Sequence, residues 1–105
     1  MTRKYKNQPQ VYDGHHFDSK RERDRYAELK LLERAKEIEG LMVHPRFPLT
    51  VKNHKICAYV ADFEYVDRRT GERVVEDVKG VKTAIYKLKK KLMAAILEIE
   101  IQEVV

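Results

Sequence analysis

Two β-rich stretches, Ile56 to Val66 and Val74 to Lys79, flank Asp67-Arg68-Arg69-Thr70-Gly71-Glu72, and this segment constrains the fold more than any other part of the chain. A four-residue turn from Arg68 to Gly71, with Gly71 in the left-handed region, pairs Asp67 with Glu72 as a hairpin. In that register Asp62 lies opposite Asp77. Directly opposed residues project to one face with β-carbons about 5 Å apart. Lys79, two residues beyond Asp77, shares the face. The inference depends on the turn length, because a three-residue loop would move Asp62 to the face opposite Asp77.

Two carboxylates at that separation repel each other, and a fold that brings them together generally holds a cation between them. The strand Val74-Val75-Glu76-Asp77-Val78-Lys79 turns charged on the face of Asp77 and Lys79, while Val74 and Val78 stay on the other. An acidic residue, any residue, then lysine also occurs at Asp18-Ser19-Lys20 and Glu28-Leu29-Lys30. Only Asp77-Val78-Lys79 ends an expected strand with an aspartate beside it. The blander alternative is a solvated strand end carrying a salt bridge.

Around this hairpin the periodicities predict an α/β order of helix, three strands, helix, strand. Tyr26, Leu29, Leu32, Ala35 and Ile38 mark a first helix from Asp18 to about Glu39, with Gly40 as its stop. Val43 to Val51 reads as the first strand, confined to an edge or a bulge by Pro45 and Pro48. Gly80 ends the third strand. Thr83 caps a second helix with an apolar stripe of Ile85, Leu88, Leu92 and Ile96, ending near Leu97. A last strand through Ile99, Ile101 and Val104 can lie parallel to the third by a crossover. The expectation is a mixed sheet flanked by helices, in one domain over residues 17–105, after a loosely packed basic arm over residues 1–16.

With 105 residues and 43% apolar content there is one modest core. No apolar stretch approaches a membrane span or a signal peptide, so a cytoplasmic location is expected. Cys57 is the only cysteine. It excludes an internal disulfide and a zinc site built on paired thiolates, and reads as a small apolar strand residue. A net charge of +5 and a pI near 9.3 favour a polyanionic partner.

The spacing of Asp62 and Asp77-Val78-Lys79 in this element order resembles the PD-(D/E)xK nuclease superfamily, which includes restriction enzymes, Holliday-junction resolvases and transposon-end nicking nucleases. His16-Phe17-Asp18-Ser19-Lys20-Arg21-Glu22, Tyr59-Val60-Ala61-Asp62-Phe63 and Val75-Glu76-Asp77-Val78-Lys79-Gly80 look like the blocks of a small phage and prophage family within it. The similarity runs from about Tyr12 to Val104. Ala61 stands where the motif's proline would be, and aspartate replaces the commoner glutamate at 77.

The resemblance implies a restriction-endonuclease-like core and a metal-dependent DNA endonuclease, with branched or junction DNA as a candidate substrate. Asp62 and Asp77 would bind Mg²⁺, with Mn²⁺ as a substitute and the Val78 carbonyl as a third ligand. Lys79 would orient the attacking water or neutralise charge on the phosphate. Members also place a glutamate in the first helix, and Glu22 matches that position. Ser19 followed by Glu22 is equally a capping box, and Glu28, nearer the centre of the apolar stripe, is the other candidate.

Lys4 and Lys6 in the arm, with Lys82, Lys87, Lys90 and Lys91 on and before the second helix, are candidate phosphate contacts; a solvated helix face is the rival. His15, His16, His44 and His54 read as surface or turn residues. A homodimer would let so small a protein reach two strands. Two other functions compete with the nuclease: a nucleic-acid-binding module that has lost catalysis, and an interaction protein whose charges serve solubility alone.

Overall fold

In the computed structural model, which describes residues 8–79 and 82–105, the chain is an α/β fold built on a four-stranded mixed sheet. Its elements are β1 (Gln10–Tyr12), β2 (His15–Phe17), α1 (Lys20–Arg34), β3 (Ile38–Val43), β4 (Arg46–Val51), β5 (His54–Val60), β6 (Phe63–Asp67), β7 (Arg73–Val78), α2 (Ala84–Leu97) and β8 (Ile101–Val104). The sheet runs β3-β6-β7-β8, antiparallel except for the parallel pair β7 and β8 that α2 connects. No helix among the described residues is long and apolar enough to cross a membrane.

The β6-β7 hairpin has the register expected from its turn. Phe63 pairs with Glu76 and Tyr65 with Val74, Gly71 takes φ +76°, and Asp67 and Glu72 are joined by a 2.9 Å backbone hydrogen bond. Strand alternation then sorts the side chains. Val74 and Val78 pack with Phe63, Tyr65, Tyr26 and Leu29 beneath α1. Val75 joins Ile101, Tyr86 and Met93 in a second cluster beneath α2.

Instead of three continuous strands, residues 38–67 form one long hairpin that bends in the middle. β4 pairs with β5 around a tip at Lys52 and Asn53, both left-handed, as a two-residue hairpin turn demands. Beyond the bend β3 pairs with β6. At the bend itself His44 N–H donates to Asp62 O at 2.9 Å and Ala61 N–H donates to Pro45 O at 3.0 Å. The expected strands over Val43 to Val51 and Ile56 to Val66 are therefore each interrupted, at His44-Pro45 and Ala61-Asp62.

Three further expectations are corrected. α1 stops at Arg34, not near Glu39, because Lys36 turns left-handed. Lys36 N–H bonds to Glu33 O and Glu37 N–H to Leu32 O, each at 3.0 Å, a double closure of the helix end that usually uses glycine. Ile38 is thus a buried strand residue, and Gly40, at φ +67°, sits in a bulge of β3. Along α2, Tyr86 and Met93 are the buried residues while Ile85 and Leu88 are exposed, because the Tyr86 hydroxyl is drawn inward to Glu103 at 2.7 Å. The arm over residues 1–16 is not loose from Gln10 onward: Asp13-Gly14, both at positive φ, close a small hairpin whose Tyr12 packs edge-on against Tyr26. Residues 1–7, with Lys4 and Lys6, lie outside the described residues, as does Gly80.

One buried ion pair joins α1 to the sheet. Glu76 points to the α1 face, 2% exposed, where Arg25 grips it with two hydrogen bonds of 2.9 and 2.7 Å and the Tyr65 hydroxyl donates a third. Removing one partner of such a pair strands a charge away from water, whereas replacing both loses far less. Arg25→Ala should therefore cost about 3 kcal/mol in urea unfolding. Arg25→Met combined with Glu76→Gln, which keeps an acceptor for Tyr65, should recover more than half of that loss. An Arg25→Ala protein as stable as the parent would show that the pair does not anchor the helix.

Candidate metal centre

Three carboxyl groups from three elements meet at the end of the sheet. Asp77 comes from β7, on the face away from Arg25. Asp62 comes from the bend just before β6, beyond the last paired residues Phe63 and Glu76, so it is not the cross-strand partner of Asp77 that the sequence suggested; its own N–H donates to Glu76 O at 3.1 Å. Glu22 comes from the first turn of α1, where Ser19 caps the helix by accepting the Glu22 N–H at 3.2 Å. The cap and a place in the cluster coexist: the Ser19 hydroxyl also reaches Glu22 Oε2 at 3.5 Å. Glu28 lies elsewhere, on the surface, paired with Arg25 at 3.0 Å.

Each acid is held differently. Asp62 Oδ2 accepts the Val78 N–H at 2.7 Å, so the Val78 peptide borders the site while its side chain packs beneath α1. Asp77 is 2% exposed and Glu22 8%. Asp77 Oδ2 and Glu22 Oε1 are buried without any hydrogen-bond partner among the described residues. Native proteins rarely leave buried carboxylate oxygens unsatisfied, because the desolvation cost is not recovered.

The electrostatics carry the same strain. Burial above all, then the charges of Asp62, Asp18 and Asp77, pushes the Glu22 carboxyl up to about 8. Asp77 rises to about 6 through burial, although Lys79 pulls the other way. Burial raises Asp62 too, opposed by the Val78 N–H and Lys79. Without a cation the cluster relieves its repulsion by holding protons. A divalent ion would do so better, and carboxylate oxygens are the donors that Mg²⁺ or Mn²⁺ takes; among the described residues the ligand atoms of Glu22 and Asp62 lie within 4.8 Å of one another, a group that does not include Asp77.

Lys79 supplies the cationic neighbour. Its Nζ lies 3.7 Å from Asp77 Oδ1 and 4.2 Å from the centre of the Tyr86 ring. The aromatic face steadies the ammonium while leaving it beside the acids. Tyr86 leads on to Glu103, which holds Lys82 at 2.9 Å and Lys90 at 3.3 Å and is itself lowered to about 2, chiefly by Lys82. Two of the expected phosphate-binding lysines are therefore tied to a carboxylate. Lys87 and Lys91 are exposed on α2.

His44 is an exposed residue of the bend, as the sequence reading had it, but it has acidic neighbours that reading did not foresee. Ligand atoms of Glu22, His44 and Asp62 lie within 4.8 Å of one another. The signal available in the sequence was the His44-Pro45 interruption of an extended stretch, but its meaning depends on the hairpin bend. Glu76 was more accessible to reasoning. It shares strand parity with Val74 and Val78, so an acid had to be buried on the α1 face and needed a cation there.

The chain matches, over residues 2–103, the family described as a protein of unknown function (DUF1064), and it belongs to that family. Comparisons with curated proteins and with solved structures gave no match.

The raised carboxyls make stability depend on pH. Glu22 titrates near 8 in the fold against 4.5 in the unfolded chain, and Asp77 near 6 against 3.8. Between those limits the native state binds more protons than the unfolded state, so its stability falls as pH rises. In EDTA, the urea midpoint should drop from about pH 5 to pH 8. Glu22→Gln should flatten the upper part of that slope and add at least about 1 kcal/mol at pH 8. A parallel profile for the two proteins would mean that Glu22 carries no such proton.

Proposed function

We propose that this DUF1064 chain is a metal-dependent nuclease of the PD-(D/E)xK type that hydrolyses phosphodiester bonds in DNA. The observation that carries the reading is the cluster of Glu22, Asp62 and Asp77, two of them with buried oxygens lacking a partner among the described residues, with the Lys79 ammonium 3.7 Å from one acid. A purely structural role would have given each buried oxygen a partner, as Arg25 and Tyr65 do for Glu76.

Asp62, Asp77 and Glu22 would hold the ion, Mg²⁺ or Mn²⁺, with the Val78 peptide at its edge. When bound, such an ion polarises a phosphoryl oxygen and makes a water acidic enough to attack. The chain's own groups do the rest. Asp62, fixed by the Val78 N–H, sets the orientation of its free oxygen. Lys79, held beside Asp77 and against the Tyr86 ring, orients the water or offsets the charge that grows on the phosphate. Lys87 and Lys91 offer the polyanion a non-specific electrostatic contact. Branched or junction DNA remains the substrate structure suggested by the resemblance to small resolvases, a homodimer the form that would reach both strands, and the cytoplasm the place of action.

The test is cleavage of linear, flapped and four-way DNA with Mg²⁺, Mn²⁺ or EDTA. Cutting should need the divalent ion, and Asp77→Ala and Lys79→Ala should each lower the rate about a hundredfold or more. Equal cutting by the parent and Asp77→Ala would end the nuclease reading. Salt-sensitive DNA binding in EDTA, with no cutting under any condition, would replace it with a binding module on the same fold.

A further inference from the structure

We propose that His44 is a nitrogen ligand of the metal centre, completing a site with Glu22 and Asp62 that favours later first-row transition ions over Mg²⁺. The proposal rests on reading Glu22 and Asp62 as metal ligands. It adds to that reading a nitrogen donor and the class of ion.

The first argument is position. An imidazole nitrogen and one carboxylate oxygen from each acid lie within 4.8 Å of one another, while the Glu22 oxygen Oε1 is buried with no hydrogen-bond partner among the described residues. A coordinating cation satisfies all three.

The second is the backbone that carries the ring. His44 sits at φ +54°, a conformation costing a side-chain-bearing residue roughly 1 kcal/mol that glycine would avoid. It also immediately precedes Pro45, where backbone freedom is further restricted. The fold holds this geometry by the two hydrogen bonds across the hairpin bend, His44 N–H to Asp62 O and Ala61 N–H to Pro45 O. Imidazole and Asp62 carboxylate are thus mounted on opposite strands of one short, doubly bonded bend, and Phe17 flanks the ring with centroids 5.9 Å apart. Turning the chain at this point needs no imidazole. Adding a nitrogen donor beside the Glu22 and Asp62 oxygens does.

The third is ligand chemistry. Mg²⁺ prefers oxygen donors and retained water. Imidazole shifts preference toward the transition series, with affinity rising from Mn²⁺ through Co²⁺ to Ni²⁺.

The experiment titrates the protein with Mg²⁺, Mn²⁺ and Co²⁺ by calorimetry, alongside pulsed electron paramagnetic resonance of bound Mn²⁺ to detect a coordinated nitrogen. His44→Asn is the variant of choice, because asparagine tolerates the left-handed backbone. The parent should bind Co²⁺ at least about tenfold more tightly than Mg²⁺ and show imidazole nitrogen coupling to Mn²⁺. His44→Asn should abolish the coupling and weaken Co²⁺ about tenfold, leaving Mg²⁺ within about twofold. Bound Mn²⁺ with no nitrogen coupling in the parent, or equal losses for all three ions in the variant, would overturn the proposal. Nitrogen-coupled metal in a protein that cuts no DNA would uphold it and end the nuclease reading alone. Metal-dependent cutting without nitrogen coupling would do the reverse, and a parent that binds none of the ions would end both.

Discussion

The antiparallel register between β6 and β7 decides what every other part of this molecule can do. A turn closed at Gly71 sets it, and side chains then alternate with no further freedom. On one face Phe63, Tyr65, Val74 and Val78 make a floor for α1, and Glu76 on that same floor requires Arg25 to come down to it. On the other face Asp77 meets Asp62 and Lys79. A slip of one residue would send Asp77 to Arg25 and Glu76 to the cluster.

The two halves of this arrangement are mechanically linked. Arg25 lies one helical turn after Glu22, so the pair that ties α1 to the sheet also aims the Glu22 carboxyl at Asp62. The bend in the long hairpin supplies the opposing wall, since Asp62 and His44 are bonded to each other across it. Three elements distant in sequence are each held by a short-range device: a cap at Ser19, a left-handed turn at His44 and strand pairing at Asp77. The repulsion among the acids is borne by packing that lies mostly elsewhere.

What could be read from the sequence was what depends on local chemistry. The Asp67 to Glu72 turn, the Thr83 cap, the length of α2 and the parallel return of β8 follow from residues within a few positions of one another, whereas the strict pairing of Asp62 with Asp77 does not hold: the register ends at Phe63 and Glu76, and Asp62 lies in the bend with its N–H on Glu76 O. Glu22 was distinguishable by its place near the Ser19 cap, but its separation from Glu28 needed the tilt of α1. The end of α1 was obscured because Ile38 continues the helical spacing while serving as a strand residue, and no glycine marks the stop at Lys36. On α2, Ile85 and Leu88 fit an apolar stripe as well as the residues that are buried. The phase is settled by Tyr86, which must reach Glu103, a contact that spacing does not encode. His44 was hidden for a related reason: its neighbours are made by a bend in which each strand supplies two residues.

Because consecutive positions of β7 face different layers, the strand divides its obligations between two sets of partners. Position 76 is bound to positions 25 and 65, and any residues that satisfy one another there preserve the domain whatever it does. Position 77 answers to 22, 62 and 79, where only a change in chemistry would permit a change in residue. Among descendants of this chain, drift at one of these neighbouring positions should thus be uncoupled from drift at the other.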